Sequence, residues 1–343
     1  MRIWKEPFGI TKIGEKATKY FIENKHGTRA VLTDFGVTLL SLHFAGKDVI
    51  LGYDTLRDYE EQTEYLGATV GRFAGPLQGG KLRVGEQVFP VTLNNGEDHI
   101  HGGTIGFSFR VWDAEILIDG IRFSLFSPHG EEGFPGNLQV SVTCRLTEED
   151  GLHYIYDAVS DRDTVLNMTC HAYFNLEGHD GGPVLNHTLQ SPAAYYREEE
   201  PAGIPKTAVF SVEGTPFDFR TPHTFDQNMQ IPHPQLDAVF GFDRNGYLGT
   251  AGEWKQAAKI AAPGGITMKV MTTQSGMQLY CPGTLLVNHP GKNGYTYQAF
   301  HAFCIEAQHC LSPEEAKQGT PYPVLPAGIP YHQETIYQFT RSV

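Results

Sequence analysis

Positive charge is scarce in this chain. Across 343 residues, 26 Lys and Arg face 39 Asp and Glu, a formal net charge of −13. That balance offers no basic patch for a phosphate backbone and disfavours an anionic membrane. Long apolar runs are missing as well. No stretch reaches membrane-spanning length, and the start, Met1-Arg2-Ile3-Trp4-Lys5-Glu6, has no apolar signal region. We therefore expect a cytoplasmic protein with no nucleic-acid and no membrane partner. Cysteine is sparse and unpatterned: there are five, with no CxxC, and Cys304 and Cys310 are separated by five residues. They read as reduced, buried thiols rather than a disulfide framework. The glycines at 71, 75, 79 and 80 form no GxGxxG opening a helix, so nucleotide binding is unsupported. No GxSxG elbow supports Ser-His-Asp catalysis. His99-x-His101 offers two nitrogens, but no HExxH or matched pair follows, so no metal is expected.

Helical periodicity is also nearly absent. Short candidates are Thr55–Glu64, capped by Asp54 or Thr55, and Ser312–Lys317, with Pro313 at the first helical position. What the chain has instead is 38 Gly, 21 Pro and 12% aromatics, the composition of many short strands and turns. Lys81–Val84 and Gln87–Val91 flank Gly85-Glu86 as a hairpin would. Leu138, Val140, Val142, Cys144 and Leu146 alternate with polar residues, and Leu152–Val159 follows after the turn at 148–151. Ile266–Met271 and Met277–Cys281 continue the pattern. The stretch 191–219 reads as loop-rich but is too hydrophobic for a linker. The expected architecture is all-β, one large antiparallel β-sandwich domain over 1–343.

Two alternating stretches carry the chemistry. Side chains on a strand change face with period two. From 166 to 176, Leu166, Met168, Cys170, Ala172, Phe174 and Leu176 share one face, and Asn167, Thr169, His171, Tyr173 and Asn175 share the other. That polar face carries no charged residue, unlike most solvated faces. It suits a lining that hydrogen-bonds a neutral polar ligand. From 303 to 308, Phe303, Ile305 and Ala307 alternate with Cys304, Glu306 and Gln308. One His and one Glu added to such a lining suit acid–base chemistry on a sugar.

Motifs along the chain extend this reading. Gly67-Ala68-Thr69-Val70-Gly71-Arg72-Phe73-Ala74 is similar to GATxGRxA, and Asn94-Asn95-Gly96 through His101-Gly102-Gly103 to NNGxNxLHGG. Gly106-Phe107 with Val111-Trp112 is similar to GFxxxxW, and Gly130–Leu138 to GEEGYPGNL. Asn167–Leu176 is similar to NxTNHxYFNL, Gly214–Phe219 to GTPFDF, and Thr272–Tyr280 to TTxPGxQxY. Glu306-Ala307-Gln308 is similar to an ETQ segment, and Thr335–Phe339 to a closing strand. In this order, from about Gly27 to the end, they make the chain resemble the aldose 1-epimerase (galactose mutarotase) family.

The resemblance implies the galactose mutarotase type of β-sandwich and a sugar substrate, with no metal or organic cofactor. It implies His171 as general acid, Glu306 as general base, and His101, Tyr173, Asp237 and Gln278 as sugar-binding residues. Mutarotation opens a pyranose by taking the C1 hydroxyl proton and protonating the ring oxygen, then recloses it on the other carbonyl face. One group must start deprotonated and the other protonated. Glu near about 4.3 and His near about 6.5 meet this with modest tuning, Asp237 could stabilise protonated His171, and the alkaline limb of a pH profile would belong to His171. Departures from the family pattern bear on the sugar. Pro76 stands where an Arg is usual after GRxA, Cys170 stands for an Asn, and Leu236–Phe240 loses the His and the Asn of an LDHNF-like segment. The Pro-Asp after ETQ is displaced to Ser312-Pro313-Glu314. A phosphorylated hexose would want a cation cluster, which the loss at 76 argues against. The other alternative is a catalytically silent sugar-binding or sensing protein, which retention of both His171 and Glu306 disfavours. Oligomeric state is not legible.

Overall fold

The computed structural model describes residues 1–199, 205–285, 287–318 and 322–342. Alternation builds it. In the strand Leu138–Leu146, Leu138, Val140, Val142, Cys144 and Leu146 are all at most 3% exposed. It pairs antiparallel with Gly151–Ser160, placing Val142 opposite Tyr156, which is buried too. Each such side chain contributes roughly 1.5–3 kcal/mol on burial. These strands belong to a nine-stranded sheet in the order Asp113–Ile116, Gly120–Ser127, Leu138–Leu146, Gly151–Ser160, Tyr331–Arg341, Ile266–Thr272, Lys255–Ala261, Thr188–Gln190 and His223–Thr224. The C-terminal strand thus sits at its centre, with Tyr337 and Phe339 buried.

Two five-stranded sheets complete the frame. One runs in chain order through Arg2–Ile10, Lys16–Glu23, Arg29–Thr33, Thr38–Phe44 and Lys47–Asp48. The other, ordered Pro205–Ser211, Tyr195–Glu199, Phe242–Tyr247, Gly276–Cys281 and Cys304–Gln308, carries much of the functional site. One apolar cluster joins all three sheets through residues such as Leu32, Val142, Phe174, Phe242 and Phe339. Every described strand pairing within the sheets is antiparallel, as the alternating pattern implies.

The hairpin Lys81–Val84/Gln87–Pro90 forms, with Gly85 at φ 59 at the first turn position. The helix Leu56–Glu61 is capped by Thr55, whose hydroxyl accepts from the Asp58 N–H at 3.3 Å. The helix Pro313–Gln318 has a reciprocal cap between Ser312 and Glu315 (3.1 and 2.8 Å). Two short helices went unforeseen, Phe225–Met229 and Pro234–Val239. The stretch 191–219 is loop-rich at both ends but holds the hairpin Tyr195–Glu199/Pro205–Ser211, while its residues 200–204 lie outside the described residues. All five cysteines are free and buried. Among the described residues, no helix is long and apolar enough to cross a membrane.

Candidate active site

The 166–176 stretch is not one regular strand. Within it only Thr169–Cys170 pairs as a short strand, Asn167 bridges Phe73, and Phe174 bridges Ile50 and Phe303. Its backbone is held by separate segments: the His171 N–H donates to the Ala68 carbonyl (2.9 Å), the Gly67 N–H to the His171 carbonyl (3.0 Å) and the Asn167 N–H to the Arg72 carbonyl (2.8 Å). Period two still governs the side chains. Asn167, His171 and Tyr173 line a cleft of about 1370 Å³. Thr169 and Asn175 do not: Thr169 is buried in a short strand pairing, and the Asn175 amide donates to the carbonyls of Gly182 and His301.

The opposite wall is the sheet face of Phe242–Tyr247, Gly276–Cys281 and Cys304–Gln308. The register sets Glu306 opposite Gln278 and Gln278 opposite Asn245. One step along, Cys304 faces Tyr280 and Tyr280 faces Asp243. Directly opposed residues share a face, so two polar rows cross the three strands. Asp243, Asn245, Gln278, Tyr280, Glu306 and Gln308 all line the cleft.

The two walls meet at His171 and Glu306. His171 Nε2 lies 3.6 Å from Glu306 Oε1, and the residues are 5% and 3% exposed. His171 Nδ1 has the Cys304 thiol at 3.7 Å. The imidazole stacks on Tyr173 (centroids 5.0 Å, 20°) and takes His101 edge-on at 5.3 Å. Burial pushes His171 down to about 4, because the site cannot solvate an imidazolium. Burial, with Asp243 adding like charge, holds Glu306 well above the usual carboxylate range. The modest tuning expected from free values is therefore replaced by opposed shifts, both disfavouring the ion pair. The expected stabilisation of protonated His171 by Asp237 has no counterpart here.

His101 also lines the cleft, at the end of a loop stapled by Asn94, which accepts from the Ile100 N–H (2.8 Å) and donates to its carbonyl (3.0 Å). His101 Nδ1 accepts from the Gly75 N–H at 3.3 Å. Gly102 beside it needs to be glycine: φ is +89°, and a Cβ would sit 1.8 Å from the Gly71 carbonyl oxygen. His99 instead points into the core and holds the Thr92 carbonyl (2.8 Å). The Tyr173 hydroxyl is spent on the Glu64 carbonyl (2.9 Å), so Tyr173 offers the cleft its ring. Gln278 donates to Asp243.

Asp237 is the exception among the expected site residues. It is exposed on the helix Pro234–Val239 and does not line the cleft. Asp243 does, raised by burial and bonded to Gln278. The LDHNF-like pattern fits Phe242-Asp243-Arg244-Asn245 better than Leu236–Phe240, since it then keeps both Asp and Asn and starts a strand of the site sheet. The strand alternation Asp243-x-Asn245 was the available signal. Arg72, from the GRxA motif, is not in the cleft. It is 2% exposed and bonded to Ser127 Oγ (2.9 Å) and the Pro135 carbonyl (2.9 Å). Glu132, from the GEEG motif, accepts from the Ile105 N–H (2.8 Å) and so braces the loop after His101. Pro76 borders the cleft and supplies no donor there. Among the described residues no three His, Cys, Asp or Glu gather so as to hold a metal ion.

A β-sandwich whose cleft joins a buried His–Glu pair to rows of hydrogen-bonding side chains defines an acid–base enzyme for a polyhydroxylated substrate. Residues 18–338 match Aldose 1-epimerase, and the chain belongs to that family of carbohydrate isomerases. It is 32% identical over 342 residues to galactose mutarotase of Bos taurus, covering 97% of each chain. It is 33% identical over 327 residues to aldose 1-epimerase of Haemophilus influenzae, covering 93% of this chain and 94% of that one. The crystal structure of galactose 1-epimerase from Lactobacillus acidophilus superimposes with a TM-score of 0.85 at 27% identity, over 100% of this chain and 99% of that one.

Proposed function

We propose that the whole chain, 1–343, acts as one aldose 1-epimerase domain on a neutral hexose or a larger reducing sugar, with His171 and Glu306 as its acid–base pair. The observation that carries this is the 3.6 Å approach of two buried groups whose proton affinities are shifted in opposite directions, past each other. The pair works with one proton. With the proton on His171, Glu306 takes the proton of the C1 hydroxyl. The electron pair closes to C1=O, the C1–O5 bond breaks, and O5 takes the proton from His171. The proton now rests on Glu306 and His171 is neutral. Rotation about C1–C2 followed by the reverse transfer gives the other anomer. The two protonation states are thus the states before and after ring opening. Lowering His171 and raising Glu306 favours the second state in the empty cleft, and the reaction runs through either state because the proton can travel both ways.

His101, Gln278 and Asp243 serve as hydrogen-bonding partners for the sugar hydroxyls, and Tyr173 as an apolar wall for its ring. Asp243 takes the place expected of Asp237. The five free, buried thiols fit a reducing cytoplasm. A catalytically silent binder would have no use for two uncompensated buried titratable groups held together. Anomer-exchange NMR on glucose and galactose, after exhaustive EDTA treatment, tests the reading. Acceleration of exchange is expected. No acceleration of any sugar, or activity lost on chelation and restored by metal, would refute it.

A further inference from the structure

Tyr65 is a bulky residue in a backbone conformation that favours glycine. Its φ is +56°, a genuine outlier for an aromatic side chain. Such strain persists only where the surroundings over-determine it, and it gathers at functional sites. Three hydrogen bonds hold it here. The Leu66 N–H donates to the Gln62 side-chain carbonyl (2.8 Å), the Tyr173 hydroxyl to the Glu64 carbonyl (2.9 Å), and the Ala68 N–H to the Tyr65 carbonyl (3.0 Å). The outcome is a half-buried ring on the cleft wall. It stands edge-on to His101 (centroids 4.8 Å) and nearly parallel to the His171 imidazole (6.4 Å, 26°). His101 is itself at φ +53°. Two strained residues thus hold their rings together beside the acid of the pair.

The Tyr65 hydroxyl has a proton with no taker. Asn94 Oδ1 accepts the Ile100 N–H (2.8 Å), so Nδ2 carries the two amide protons. One goes to the Ile100 carbonyl (3.0 Å), and the other faces the Tyr65 oxygen at 3.4 Å. In that contact the phenol is the acceptor. Its own proton goes to no acceptor among the described residues. Burial raises the hydroxyl to about 12, so it keeps that proton near pH 7.

We propose that Tyr65 is a further sugar-binding residue, whose hydroxyl donates to the C6 hydroxyl oxygen of a bound hexose. The proposal rests on the reading of His171 and Glu306 as the anomerisation pair, because that reading orients the ring. The C1 hydroxyl lies at Glu306 and O5 at His171. O5 joins C1 to C5, so C5 and its hydroxymethyl group extend from O5 on the side away from Glu306. Tyr65 and His101 border the imidazole from the loop wall, while Glu306, Gln278 and Tyr280 belong to the sheet wall. A pentopyranose such as xylose has no group to offer there, and a 6-deoxy sugar has no oxygen. Tyr65 thereby separates hexoses from both.

The test is anomer-exchange kinetics with glucose, 6-deoxyglucose and xylose, on the wild-type chain and on Tyr65→Phe after a thermal melt establishes that it is folded. In wild type, glucose should lead both other sugars in kcat/KM. The substitution keeps the ring and removes only the hydroxyl. The kcat/KM for glucose should then fall by roughly 2- to 10-fold, the effect of one hydrogen bond, chiefly through KM. Values for 6-deoxyglucose and xylose should not change, so the glucose-to-6-deoxyglucose ratio falls by the same factor. A hydroxyl that only braced Asn94 would slow all three sugars alike when lost, and that outcome overturns the proposal. So does a variant that alters none of them. A wild-type chain with equal kcat/KM for glucose and 6-deoxyglucose overturns it without any variant. A wild-type chain that accelerates no sugar overturns instead the reading on which the proposal rests.

Discussion

Replacing Glu306 by Gln should make the protein inactive and, near neutral pH, more stable. Glu306 is 3% exposed, and its only ion-pair partner among the described residues is His171, itself pushed down to about 4 and so uncharged at pH 7. Its pKa is raised above the 4.5 of a free side chain, first by burial and then by Asp243. A raised carboxyl pKa means that the native state binds a proton where the unfolded state has released it. Stability contributed by this group is fully present below pH 4.5 and is lost as pH rises toward the folded value. The slope is about 1.4 kcal/mol per pH unit across that window. Gln keeps the shape and cannot ionise. The stability difference, Glu306→Gln minus wild type, should therefore climb by about 1.4 kcal/mol per unit from pH 4.5 and level off at the folded pKa of Glu306.

Subtraction matters here because His171 has the opposite effect. Its folded value lies below the unfolded 6.5, so its contribution rises with pH between about 4 and 6.5 and masks the Glu306 slope in wild type alone. Urea unfolding of both proteins at half-unit intervals from pH 4.5 to 8, with linear extrapolation, gives the curve. On the same samples, kcat for glucose should fall by roughly 10²-fold or more. A difference that stays flat from pH 5 to 7.5, or a Gln variant less stable than wild type at pH 7.5, would show that Glu306 is not a strained carboxyl. A Gln variant with near wild-type kcat would remove it from the mechanism.

The pH profile of kcat/KM should be bell-shaped, with the limbs belonging to the coupled pair. Given the opposed shifts, the acid limb near 4 reports uptake of a second proton, set by His171, and the alkaline limb reports loss of the last one, set by Glu306. This reverses the order that free values imply, and an alkaline limb that vanishes in His171→Asn but persists in Glu306→Gln would contradict it. Pro76→Arg should add charge-assisted hydrogen bonds to a monosaccharide, worth roughly 1.5–3 kcal/mol each. The KM for galactose should then fall about tenfold or more with little change in kcat. In wild type, galactose should not lead a panel of galactose, glucose, xylose, maltose and lactose by kcat/KM, and if it does, Pro76 is silent.

What could be read from the chain alone was whatever is local. The hairpin at 81–90 and the caps at Thr55 and Ser312 depend on neighbours in sequence, and they form as expected. The alternation that put Asn167, His171 and Tyr173 on one face, and Glu306 and Gln308 on another, is likewise local. The side-chain order survives even where the backbone leaves the strand conformation. What escaped depends on strand order. Asn245 lines up with Gln278 and Glu306 only because Phe242–Tyr247 pairs with Gly276–Cys281, and no periodicity announces that pairing. Asp243 was missed because the helix Pro234–Val239 carries a similar Leu-Asp pair a few residues earlier, and only burial tells the two apart. The pKa directions escaped for the same reason, since desolvation is a property of the assembled cleft.

The motifs divide along the same line, and their division explains how the site keeps its geometry. Several put side chains into the cleft, and other residues of the same motifs hold it from behind. Gly67 and Ala68 hold both backbone groups of His171, and Arg72 accepts from the Asn167 N–H while its guanidinium is buried against Ser127 and Pro135. Phe174 and Phe303 exchange two backbone hydrogen bonds (2.8 and 3.0 Å), tying the chain that follows His171 to the chain that precedes Cys304 and Glu306. The 3.6 Å His171–Glu306 distance is thus fixed by main chain on either side of the pair rather than by the attraction of two ions, which burial disfavours. A pair positioned this way can gain and lose its proton without moving. That is what a reaction needs when its second half is the first half run backwards.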